Sequence, residues 1–123
     1  MTKRKLRVVN HTADIGIEVY GDTIEDLFLN SAEGLYEITG LQYDGEEKSL
    51  EIKIKGDEIE ELLVKFLNEL IYLMETKNIA GKIEKLTIEK GYILSAILKV
   101  KKIKSIGKEI KAATYHNLKI KKS

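Results

Sequence analysis

Only two histidines occur in this 123-residue chain, His11 and His116, and each stands among other side chains able to do chemistry. In His11-Thr12-Ala13-Asp14 an imidazole lies three residues before a carboxylate. An imidazole can move protons near neutral pH, and a carboxylate can ligate a hard cation. His116 follows Tyr115 and stands five residues after Lys111, so a phenol and an ammonium accompany it. His11, Asp14 and His116 are the acid-base set that a free-standing enzyme would use. Each residue also has a plainer reading. Asp14 and Thr12 can cap turn amides while His11 bonds locally. His116 has the parity of an apolar strand face, and a single lysine on a strand is usually just solvated.

Several chemistries are excluded by composition and motif. There is no cysteine, so disulfides, thiolate metal sites and cysteine nucleophiles are absent, as suits a reducing cytoplasm. Gly16 and Gly21 are too far apart to cradle a phosphate, and no HExxH motif or serine nucleophile elbow occurs. No aromatic-rich basic strand of the kind that stacks bases is present. The formal net charge is +1, so the whole chain exerts no steering field on nucleic acid. From Lys99 onward, however, the chain carries nine lysines against Glu109 alone. That end could contact phosphates, or its lysines could simply discourage edge pairing on exposed strands.

The elements that must position these residues are legible from periodicity. Leu6 to Asn10 and Ile15 to Tyr20 alternate as two strands, with the His11–Asp14 segment as the break between them. Thr23 with Asp26 makes a helix-start box, followed by Ile24, Leu27, Phe28, Leu35 and Ile38 at helical spacing, with Gly40 as the stop. Leu50, Ile52 and Ile54 alternate as a strand ending at Gly56. Asp57 with Glu60 repeats the cap before a wide apolar stripe from Ile59 to Met74, closed by Asn78 and Gly81. Strands then follow through Leu86 and Ile88, from Tyr92 to Val100, and from Ile110 to Ile120, with a turn at Ser105–Lys108. Two one-sided helices must bury their stripes against a one-sided sheet. The expected architecture is a two-layer α+β domain, two amphipathic helices on one face of a mainly antiparallel sheet, spanning 1–123 as a single domain. No apolar run reaches the roughly 20 residues of a membrane span, and no signal-peptide core follows Lys3-Arg4-Lys5.

Three blocks carry a family resemblance. HTADIGIEVYG at His11 to Gly21 closely resembles the opening motif of archeases. EELLVKFLNELIYL at Glu60 to Leu73 looks like that family's second helix, and EIKAATYHNLKI at Glu109 to Ile120 resembles its late strand. The resemblance implies a compact fold of the SHS2 type and a role as protein cofactor of the tRNA-splicing RNA ligase, not as an enzyme. It implies that the chain promotes guanylylation of the ligase, supports multiple turnover and relaxes nucleotide specificity, with tRNA as an indirect partner, in the cytoplasm. It also implies a calcium-like divalent cation held by acidic residues. Asp14 matches the N-terminal ligand, Lys111 a functional lysine, and His11 and His116 the two motif histidines. Two positions depart from the pattern. Thr39-Gly40 stands where an aspartate commonly follows the first helix, with Asp44 the nearest substitute. The chain finishes Lys121-Lys122-Ser123, without the family's late acidic residue. Either the metal site is incomplete, or a carboxylate such as Asp44 helps to complete it, or the final strand is missing. A metal-assisted hydrolase or phosphoryl-transfer enzyme using His11, Asp14 and His116, and a basic RNA-binding module, are the alternative functions.

Overall fold

The structure is a computed structural model that describes residues 6–10 and 15–110, with side chains described from residue 19 to residue 110. Strands β1 (Leu6–Asn10) and β2 (Ile15–Val19) pair antiparallel, with Leu6 opposite Val19 and Asn10 opposite Ile15. Helix α1 (Ile24–Thr39) begins where the cap pattern predicts, the Thr23 Oγ1 accepting the Asp26 N–H at 3.0 Å. It ends at Gly40, whose φ of 60° is left-handed backbone that glycine adopts without strain. Strand β3 (Gln42–Lys55), helix α2 (Ile59–Tyr72), β4 (Ile79–Glu89) and β5 (Ile93–Ser105) follow. The larger sheet is antiparallel throughout in the order β3-β5-β4. The two-layer α+β expectation therefore holds.

Alternation in β5 explains why it occupies the centre. Leu94, Ala96, Leu98 and Val100 are buried while the residues between them are half-buried, so one face of the strand feeds the core. The helices answer with Phe28, Ala32 and Leu35 from α1 and Leu62, Phe66 and Leu70 from α2. The Phe28 and Phe66 rings stack at 5.9 Å and 30°, both fully buried, and so fasten helix to helix as well as to the sheet.

Four boundaries differ from the periodicity reading. β3 starts at Gln42, eight residues before the alternation at Leu50, because its first half is exposed and is held by backbone pairing to β5 instead of by burial. Likewise β4 starts at Ile79, well before Leu86. Tyr92 lies in the β4–β5 turn at φ 55° and is exposed, so it does not join the face of Leu94 to Val100. At the start of α2 the N-cap is Glu58, and Glu61, not Glu60, reaches back, its carboxylate accepting the Asp57 N–H at 2.7 Å. That bond, with Lys65 beside it, holds the Glu61 carboxyl below its ordinary range.

The end of α2 also differs. The helix widens into a π-helical turn (Leu73–Lys77) that closes on Asn78 in left-handed backbone. Asn78 is the stop that the sequence predicts; Gly81, predicted to share that role, lies inside β4 opposite Val100. A Cβ at position 81 would run into the carbonyl oxygen of Lys99. Close strand approach, not helix termination, is what requires glycine there.

Candidate functional site

The β1–β2 pairing brings Asn10 and Ile15 face to face, so the fold anchors both ends of the His11–Asp14 segment. His11 and Asp14 themselves lie outside the described residues, as do Lys111, His116 and the expected strand from Ile110 to Ile120 beyond its first residue. Ile110 is half-buried against the core, which fixes where the chain enters that last block.

The approach to Ile110 is fastened to α1. The Thr39 carbonyl accepts N–H groups from both Gly107 and Lys108 at 2.9 Å, so the expected turn at Ser105–Lys108 docks on the last helical carbonyls. Thr39 is buried, and its Oγ1 donates to the Tyr36 carbonyl at 2.7 Å. The hydroxyl at this position is therefore directed back into its own helix. Neighbouring Tyr36 is mostly buried, and burial pushes its phenol up to about 12, against the opposing pull of a backbone hydrogen bond from Gly81. This end of the molecule is thus built from buried, satisfied polar groups; among the described residues no buried side-chain nitrogen or oxygen lacks a partner.

Asp44 is the one sequence-predicted site residue within the described region. It is exposed on β3 opposite Lys102, and its Oδ1 accepts the Gly45 N–H at 2.7 Å. Three residues of β3, Gly45 to Glu47, intervene before Lys48 pairs with Val100, where β5 spends only Lys101. The bulge leaves Asp44 in a groove with Glu46 and with Lys48, Lys101, Lys102 and Lys104. Periodicity missed this groove, because nothing apolar marks residues 42–49 as a strand. The lysine run of β5 was its visible trace.

The described residues do not by themselves fit a divalent cation. No group of three or more His, Asp or Glu side chains able to hold a metal occurs among them. The Asp44 carboxylate shares its groove with Glu46 alone among acidic residues, alongside four lysines. A hard cation needs several oxygens, commonly six to eight for calcium.

The Archease protein family matches residues 6–123, which takes in both described sheets, both helices and all three sequence blocks. The chain belongs to that family. Protein archease of Pyrococcus abyssi is 37% identical over 122 residues, covering 91% of this chain and 84% of its relative. Protein archease of Archaeoglobus fulgidus is 32% identical over 124 residues, covering 97% of this chain and 90% of its relative. A crystal structure of an archease, a possible chaperone, from Thermotoga maritima superposes with a TM-score of 0.62 at 32% identity. That comparison covers 94% of this chain and 83% of the Thermotoga chain. A solution structure of Methanobacterium thermoautotrophicum protein 1598, at 24% identity and a TM-score of 0.59, shares the fold. For this archease, no helix among the described residues is long and apolar enough to cross a membrane.

Proposed function

We propose that this archease is a protein cofactor of the GTP- and manganese-dependent tRNA-splicing RNA ligase. It promotes guanylylation of the ligase's active-site histidine, supports repeated turnover and widens nucleotide use. The observation that carries this reading is the family match across residues 6–123, in which the His11–Gly21, Glu60–Leu73 and Glu109–Ile120 blocks keep their order.

Guanylylation forms a bond from a ligase nitrogen to the α-phosphorus of GTP and breaks the bond to the departing pyrophosphate. Negative charge builds on that leaving group. A positioned cationic side chain lowers such a barrier by electrostatic stabilisation. Lys111 is the residue assigned to that role. Asp14, His11 and His116 complete the working surface, Asp14 with a carboxylate that can orient an ammonium and the histidines with exchangeable protons. If Asp14 does contribute to a calcium-like site, Asp44 is the helper the sequence offers. Calcium titration of wild type against D14N and D44N would then show reduced affinity in both.

The test is a reconstitution with the cognate ligase, GTP and manganese. Stoichiometric additions of this protein are expected to raise the guanylylated fraction and to convert single-turnover sealing into multiple turnover. K111A and D14A, folded by thermal melt, are expected to abolish the stimulation. No stimulation by folded wild-type protein, or hydrolase activity without any ligase, would overturn the proposal.

A further inference from the structure

The β3 bulge and the last third of β5 line one open groove with four lysines: Lys48, Lys101, Lys102 and Lys104. Two lysines elsewhere on the described surface are matched with acids. Lys99 Nζ lies 3.5 Å from Glu84, and Lys65 Nζ lies 3.5 Å from Glu61. None of the four groove lysines makes an ion pair among the described residues. The groove's own carboxylates are Asp44, already accepting the Gly45 N–H, and Glu46. Four positive charges against two negative leave an excess of two in a concave setting with Ile79 and Val100 in its lining.

We propose that this groove binds the phosphodiester backbone of single-stranded RNA, with the four lysines facing phosphates and Glu46 as the opposing charge that keeps affinity low. Lysine is a point charge on a flexible stem and takes a phosphate oxygen without reading the base. No aromatic ring lines the groove, so bases gain no stacking platform and the contact is sequence-independent. From Lys101 to Lys104 the strand spans about 10 Å at roughly 3.3 Å per residue, enough for a short run of one chain. A concave strip of this length suits a flexible strand better than a flat anionic membrane. The choice of RNA rests on the ligase reading above, since a ligase activator stands beside the RNA being joined.

Fluorescence anisotropy of the full chain with a short labelled single-stranded RNA tests it. Four phosphate contacts give a slope of log affinity against log salt of about −3, so a fourfold rise in salt weakens binding about 50-fold. The double variant K101Q/K102Q should halve that slope, leaving about a 7-fold loss over the same rise. E46Q should tighten binding several-fold at every salt concentration, an increase that a damaged fold would not produce. A flat salt dependence in wild type, an unchanged slope in the double variant, or no tightening in E46Q would overturn the inference. A parallel arm separates it from the ligase proposal. RNA-free guanylylation should be stimulated equally by wild type and K101Q/K102Q, while the KM for RNA in sealing rises for the variant. If wild type stimulates no guanylylation, the ligase proposal fails while the salt slopes still judge the groove. If the variant loses guanylylation stimulation but keeps its RNA affinity, the lysines contact protein and the RNA inference falls.

Discussion

The two halves of β5 are one strand built to different rules. From Ile93 to Val100 it pairs with β3 without a slip and buries every second residue. From Lys101 to Ser105 its pairing with β3 slips twice, and three of its five residues are lysines. Ile103 alone is buried there, tied to Asn78 by backbone and side-chain hydrogen bonds at 2.9 and 3.3 Å. The first half spends its side chains on the core and leaves little for a ligand. The second half is held by backbone and one apolar anchor, which frees its remaining side chains for solvent or a partner.

Substitutions should separate the two halves sharply. Leu98→Ala removes a fully buried side chain at the centre of the sheet and should cost about 2–5 kcal/mol. For a domain of this size that lowers Tm by roughly 8–20 °C in a thermal melt. The salt slope of RNA binding, measured below the melt, should not change.

Alkaline pH attacks the inner layer next. The Tyr36 phenol sits at about 12 in the fold against 10.0 for an ordinary tyrosine. The folded state therefore keeps a proton that the unfolded chain gives up. Stability should hold below about pH 10 and fall by about 1.4 kcal/mol per pH unit between there and pH 12. Urea unfolding of wild type against Tyr36→Phe checks this, and the alkaline decline attributable to this group should vanish in the variant.

Smaller effects belong to the helix ends. Thr23→Ala removes the oxygen that accepts the Asp26 N–H and should cost about 1 kcal/mol by denaturant unfolding. The Glu61 carboxylate contributes only while ionised. Its pKa is lowered in the fold, so the contribution is present above the ordinary glutamate range and disappears as pH falls through the lower folded value. Smallest of all, Lys102→Gln on the exposed half of β5 should change stability by less than about 0.5 kcal/mol, although it weakens the proposed RNA contact. A large loss of stability there would erase the division drawn between the two halves.

This division also decides what could be read from sequence. The helix stripes, the Thr23 cap, the Gly40 stop and the alternation of Leu94 to Val100 were legible because burial imposes a period on side-chain type. Gln42 to Ser49 showed no such period, since a strand exposed along its length is held by hydrogen bonds that any side chain permits. Gly81 looked like punctuation, because a glycine needed for close strand approach has the same spelling as one that ends a helix. At the proposed working surface, spacing offers only an acid near a histidine between two strands. The three family blocks gave that pair its meaning, and the match over residues 6–123 supports the membership. Asp44 stands out in the sequence as the nearest substitute for an aspartate after the first helix, whereas the lysines that share its groove depend on a bulge that no local pattern announces.

Gly81 has one more consequence. At that crossing every amino acid with a side chain would collide with the neighbouring strand, so β4 and β5 have a single phase in which they can lock. A residue with a Cβ at that point would have to push the two strands apart. The placing of the outer β5 charges against β4 is thereby set like the teeth of a key, cut by a residue that carries no charge itself.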